Sequence, residues 1–156
     1  TMSIGTPYCT NYQVLVYPAA SAADFENLTS LEGLNVAVES GSAGEDAALA
    51  LGATTVPVQS QANTLMEVQA GTSDCAVIDV LMAAAMTGEG TSYADLAYSL
   101  NLNDAQGLES EQYGVGFRQG SDLVDEFNTF WAEKVADGTV LEVATTYGLQ
   151  DAVILD

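Results

Sequence analysis

The sequence predicts an α/β fold, and three stretches predict it. Asn35 to Ala48 reads as strand, tight turn and helix, Thr55 to Gly71 repeats that order, and Cys75 to Gly88 supplies a further strand running directly into a helix. Strands alternating with helices of about ten residues imply parallel pairing within an α/β layer.

Taken in order, Tyr12 to Tyr17 alternates as a strand and ends at Pro18. A loop rich in Ala, Ser and Asn follows, and Leu28 to Gly33 is expected to hold a single helical turn. Val36 and Val38 mark the first strand of the repeating pattern, and Gly41 permits the turn after it. Ser42 with Glu45 three residues on is a capping box, in which the serine oxygen accepts from the Glu45 N–H and the glutamate returns to the Ser42 N–H. The N–H groups of Ala43 and Gly44 are then left at the positive end of a helix dipole, a pair suited to a carboxylate or a phosphate, with no side chain at position 44 to obstruct a ligand. Thr55 to Val58 contains Pro57 and so belongs at a sheet edge. Ser60 caps a helix with Leu65 and Val68 inward, closed by Gly71.

Cys75 to Asp79 is too continuously apolar for a surface ribbon, and it leads into a helix over Val80 to Met86. Asp79, at the end of its strand and the start of its helix, fits equally an N-cap and a ligand group at a strand end. Tyr93 to Leu100 is expected as a strand, Asn101 to Gln112 as a polar loop, and Tyr113 to Phe117 as a glycine-relieved strand. Two helices close the chain. The first carries the stripe Leu123, Phe127, Phe130, Trp131 and Val135, with acidic Asp122, Asp125 and Glu126 at its positive end. That spacing is what core packing requires, rather than a cofactor box. The second opens on a capping box from Thr139 to Glu142 and ends at Tyr147-Gly148.

The chain of 156 residues is long enough to bury roughly two thirds of its unfolded surface. Its 22 acidic residues against two basic ones, Arg118 and Lys134, give a formal charge of −20. Nucleic acid and anionic membrane are poor partners for such a surface, because no basic patch can release counterions. No run of about eighteen apolar residues spans a bilayer, and no charged-then-apolar leader opens the chain. Cys9 and Cys75 are expected as two free, buried thiols. Histidine is absent, which removes every Ser-His-Asp or Cys-His arrangement, histidine metal site and histidine base. Ser40 to Gly44 has Ser40 where a nucleophile elbow has its first glycine, and lacks the Lys of a phosphate loop and the glycine spacing of a dinucleotide fingerprint. Ser42 therefore reads as a cap, and no catalytic residue, metal or cofactor is expected.

Several of these stretches, in this order, resemble the extracellular family 3 solute-binding proteins of bacterial amino-acid ABC transporters, the type 2 periplasmic-binding-protein class. Thr6-Pro7-Tyr8 followed by Tyr12 to Val16 is similar to the family's phenylalanine-serine-x-proline-tyrosine segment and crossover strand. Leu31 to Val38 with Gly41-Ser42 resembles the entry into its second lobe. Val68 to Asp79 resembles the segment in which a glycine, then an aspartate-alanine pair, then a closing aspartate occur. Tyr113 to Arg118, Asp137-Gly138-Thr139 and Tyr147-Gly148-Leu149 resemble the return strand and closing helices of the first lobe.

The resemblance implies two α/β lobes joined by crossover strands and closing on an amino acid. It implies one complete lobe over residues 19–112, with 1–18 and 113–156 contributing to an incomplete one. Glu39, Ser42, Ala43 and Gly44 match cleft-lining positions. The backbone of Ala43 and Gly44 would hold the ligand α-carboxylate, Asp79 its α-ammonium, and Glu39 would lie near its side chain. A charged hydrogen bond of this kind contributes about 1.5 to 3 kcal/mol of the roughly 8 kcal/mol in a micromolar complex. The family's carboxylate-clamping arginine is missing after Met2-Ser3-Ile4, which resembles the last strand ahead of the crossover, as are its ligand-stacking aromatics. The implied function is extracytoplasmic capture of an amino acid for the membrane subunits of an ABC importer, without catalysis. The alternatives are a dehydratase of the cyclohexadienyl type, with Glu39 or Asp79 as acid, and a sensor or interaction domain. The apolar stripe on the penultimate helix would normally pack on the missing elements, so self-association through that face is expected.

Overall fold

The computed structural model describes residues 1–106 and 110–156. Its strands are β1 (Met2–Ile4), β2 (Cys9–Asn11), β3 (Gln13–Pro18), β4 (Asn35–Glu39), β5 (Thr54–Val58), β6 (Cys75–Asp79), β7 (Leu96–Asn101), β8 (Glu111–Tyr113) and β9 (Gly116–Arg118). Its helices are α1 (Ala22–Phe25), α2 (Ala43–Ala50), α3 (Gln61–Ala70), α4 (Val80–Met86), α5 (Leu102–Gln106), α6 (Leu123–Ala136) and α7 (Thr139–Thr146), with a 3-10 turn at Ala19–Ser21. The chain divides into two compact units. The larger is Tyr12–Glu109, and the smaller joins Thr1–Asn11 to Ser110–Asp156. Gln13–Pro18 thus falls in the larger unit.

The larger unit is built on a five-stranded sheet in the order β5-β4-β6-β3-β7. β4 pairs in parallel with β5 and β6, as strand-helix alternation predicts, whereas β3 pairs antiparallel with β6 and β7, so the sheet is mixed. Val14 to Tyr17, Val36 to Val38 and Cys75 to Ile78 are all buried. Such continuous apolar runs mark strands covered on both faces. Leu15, Tyr17, Val36, Val38, Cys75 and Val77 form one core with Ala47 and Ala48 of α2 and with Leu102. α3 buries Thr64, Leu65 and Val68. Pro57 sits on edge strand β5, where its missing N–H breaks no ladder.

Several expectations are corrected in this unit, among them the strand expected over Tyr93 to Leu100, which begins at Leu96. Leu28 to Gly33 holds no helical turn; the turn lies earlier, at Ala19–Phe25, where alanine favours helix. Leu31 instead is buried and its N–H donates to the Leu51 carbonyl, while Gly33 turns the chain at φ 85°. The loop expected over 101–112 contains α5 and β8, with residues 107–109 outside the described set. Asn101 Oδ1 accepts from the N–H groups of Asn103 and Asp104 and so caps α5.

In the smaller unit β1 pairs with β9 and β2 with β8, both antiparallel. The single strand expected over 113–117 is divided between β8 and β9, with Gly114 between them so close to Ile4 that a side chain there would strike it at 2.6 Å. Phe127 stacks with Trp131 at 6.3 Å, and Tyr8 meets Trp131 edge-on at 6.0 Å. No residue of α6 is buried, and Leu123 and Phe130 are each 55% exposed. The stripe is therefore only partly covered within this unit. The capping box expected at Thr139 is not formed. Gly138, at φ 82°, is the N-cap, and Asp137 Oδ1 accepts from the Thr139 N–H at 2.9 Å.

Candidate functional site

The connections around β4 locate the site. From β4 the chain runs through α2 to β5 on one side, then through α3 to β6 on the other. The carboxyl ends of β4 and β6 therefore flank the point where the winding reverses, which is where open α/β sheets receive ligands. Glu39 ends β4 and Asp79 ends β6. The first residues of α2, α3 and α4 follow the ends of β4, β5 and β6, so the positive ends of these helices belong to the same edge of the sheet.

At the α2 tip, Ser42 accepts from the Glu45 N–H at 3.1 Å as predicted. Glu45 does not close the box on Ser42; its carboxylate accepts from the Gly41 N–H at 2.6 Å, while the Ser42 N–H donates to the Glu39 carbonyl. The sharp turn at Gly41, φ 73°, brings that N–H within reach. Among the described residues no acceptor is recorded for the N–H groups of Ala43 and Gly44. Ala43 is exposed and Gly44 buried. The small residue at 44 answers a protein contact: a Cβ there would lie 2.9 Å from the Val77 carbonyl oxygen and 3.0 Å from Gln13 Oε1.

Asp79 occupies the N-cap position of α4, yet its side chain makes no capping bond. The carboxylate is held instead by two glutamines. Gln13 Nε2 donates to Oδ1 at 2.7 Å, and Gln61 Nε2 donates to Oδ2 at 2.6 Å. Gln61 Oε1 also accepts from the Asp79 N–H at 3.2 Å. Gln13 is 5% exposed and is the direct register partner of Asp79 across β3 and β6. Gln61 is the first residue of α3, directly after its cap Ser60. The structure thus brings Asp79 and Gly44 to opposite sides of one glutamine side chain, and leaves Glu39, half-buried, at the neighbouring strand end. Sequence reasoning missed both glutamines. The usable signal for Gln13 was a polar residue opening an otherwise apolar strand.

Among the described residues no cluster of acidic or cysteine side chains could hold a metal, and no helix is long and apolar enough to cross a membrane. Both cysteines are free, buried thiols, and burial pushes Cys75 up to about 12. A cavity of about 320 Å³ in the smaller unit lies among Tyr8, Trp131, Val140, Val143 and Tyr147, far more apolar than the strand ends carrying Asp79.

The fold is type 2 periplasmic-binding-protein-like, and the chain is similar in structure to amino-acid-binding solute-binding proteins. The solved structures make the comparison particular. The L-cystine solute receptor of Neisseria gonorrhoeae, in its unliganded open conformation, matches at 23% identity with a TM-score of 0.77, over 99% of this chain and 63% of that one. A mutant ArgBP from T. maritima, a protein also solved with arginine bound, matches at 25% identity and TM-score 0.63, over 94% and 61%. An ancestral amino-acid-binding protein described as a precursor of cyclohexadienyl dehydratase matches at 22% identity and TM-score 0.63, over 94% and 61%. The chain spans about six tenths of the length of each. No protein-family model matches the chain, and no curated protein does.

Proposed function

We propose that this chain is the amino-acid-binding portion of an extracytoplasmic solute-binding protein that delivers its ligand to the membrane subunits of an ABC importer. The observation carrying the proposal is the Asp79 carboxylate at the winding reversal, bonded through Gln13 and lying beside the tip of α2. In this reading the ligand α-ammonium meets Asp79 and its α-carboxylate meets the backbone at Ala43 and Gly44, with Ser42 holding the turn. Glu39 favours a cationic side chain, since Tyr12–Glu109 contains no Lys or Arg to compete for it. Binding alone needs no covalent step, and no catalytic residue is assigned.

Calorimetric titration with each of the twenty amino acids tests this. L-Arginine and L-lysine are expected among the binders, and Asp79→Ala is expected to weaken them about tenfold to a hundredfold, the equivalent of about 1.5 to 3 kcal/mol for one charged hydrogen bond. Failure of every amino acid to bind, or unchanged affinity in Asp79→Ala, refutes the reading. The likeness to a dehydratase precursor supports one rival, in which Glu39 or Asp79 serves as a general acid. Turnover of prephenate or arogenate would favour that rival.

A further inference from the structure

Asp79 is gripped on both oxygens, and by neutral groups. Gln13 reaches Oδ1 from β3, while Gln61 reaches Oδ2 from the first turn of α3 and accepts from the Asp79 N–H with its own oxygen. The two contacts of Gln61 fix both the carboxylate and its backbone, as a two-point clamp does. Gln13 is itself buried, its backbone N–H donates to Asn103 Oδ1 at 2.9 Å, and its Oε1 occupies the space a side chain at Gly44 would need. Amide donors orient a carboxylate and stabilise its negative charge without cancelling it, whereas a lysine or arginine in the same place would neutralise it. The larger unit has no such cation. A carboxylate locked in one rotamer also gives up less side-chain freedom when a ligand docks.

We propose that Gln13 and Gln61 are positioning residues that hold the Asp79 carboxylate aimed at a ligand ammonium, and that Gly44 is glycine because Gln13 and the Val77 carbonyl fill the space beside it. This rests on the amino-acid-binding reading for its ligand, but the clamp itself exists in the free chain. Two sets of measurements separate them.

The first uses three probes: L-arginine, agmatine, which lacks the carboxylate, and 5-guanidinopentanoate, which lacks the α-ammonium. Gln61→Met is expected to weaken L-arginine and agmatine by about tenfold and 5-guanidinopentanoate by less than twofold. Equal weakening of all three would mark Gln61 as merely structural and overturn the proposal. Gln13→Met is expected to follow the same ratio, and because the ratio compares ligands on one variant, a general loss of stability does not imitate it.

The second needs no ligand. In the free wild-type chain the side-chain amide resonances of Gln13 and Gln61 should both move in Asp79→Ala and exchange faster with solvent, while exposed Asp46→Ala should leave them in place. Resonances indifferent to Asp79→Ala overturn the clamp. If they respond and the wild type binds none of the three probes and none of the twenty amino acids, the clamp stands and the amino-acid reading falls.

Discussion

Gly44→Ala tests the packing on which the site depends. Replacing a helical glycine by alanine ordinarily stabilises a helix by up to about 1 kcal/mol, and in α2 that gain is opposed by two contacts. The new methyl would lie 2.9 Å from the Val77 carbonyl oxygen, in a strand paired on both sides, and 3.0 Å from Gln13 Oε1, whose amide is tied to Asp79. Neither neighbour is the loose end of a surface side chain. Overpacking of this kind costs about 1 to 3 kcal/mol, so the balance is a net loss of about 1 kcal/mol, equivalent to a fall of roughly 4 to 8 °C in the Tm of the larger unit. Urea unfolding followed by far-ultraviolet circular dichroism measures it, since Trp131 lies in the smaller unit and its fluorescence does not report on α2. Gly44→Ala combined with Gln13→Ala should recover part of the loss, because one of the two contacts is then gone. A Gly44→Ala chain as stable as the wild type, or more so, would refute the account of why position 44 is glycine.

Two further outcomes follow from the smaller unit. The Asp137 carboxyl is held at about 2, first by the Lys134 hydrogen bond at 2.6 Å and then by its bonds to Thr139. A depressed folded value means the stabilisation is present above the ordinary carboxyl range and is lost as pH falls through about 2. Carbon-detected NMR of Asp137 should titrate near 2, and Lys134→Met should return the midpoint toward the usual range; an unchanged midpoint would refute the role given to Lys134. For the exposed apolar residues Leu123 and Phe130 on α6 and Tyr147 after α7, sedimentation should reveal concentration-dependent association. Salt should strengthen it by screening the acidic surface, and Phe130→Glu should weaken it. A monomer at all concentrations sinks this expectation.

The elements legible in the sequence were those whose local signals agree with their burial. α2 and α3 are capped by Ser42 and Ser60 as expected, with Gly71 closing α3, and the apolar run from Cys75 to Met86 forms β6 and α4 over the expected residues. The failures have two causes, partners distant in sequence and local competition at a helix junction. α5 was hidden because Leu102 is apolar for the sake of a core formed with Leu15 and Val77, not because of a local pattern. The box at Thr139 lost to Asp137 and Gly138 because a left-handed glycine can share the junction between two helices. At the site, Asp79 was legible as a strand-end carboxylate, but its neighbours were not. Gln13 lies 66 residues away and Gln61 18, and only the β3–β6 register brings Gln13 opposite.

That register also resolves an electrostatic difficulty. A chain of formal charge −20 is a poor host for the carboxylate end of any ligand, and the larger unit holds no cationic side chain to offset the repulsion. Its positive potential at the strand ends comes from backbone instead, through α2, α3 and α4, all of which begin at that edge. Gln13 and Gln61 add the positive ends of two amide dipoles directed at Asp79. Dipoles falling off over a helical turn act on a ligand already docked, while the net acidic charge acts at a distance. On the proposed amino-acid-binding reading, a cationic ligand would be drawn in by the whole surface and its carboxylate accommodated at the helix tip, which would set its orientation before any side-chain specificity is exercised.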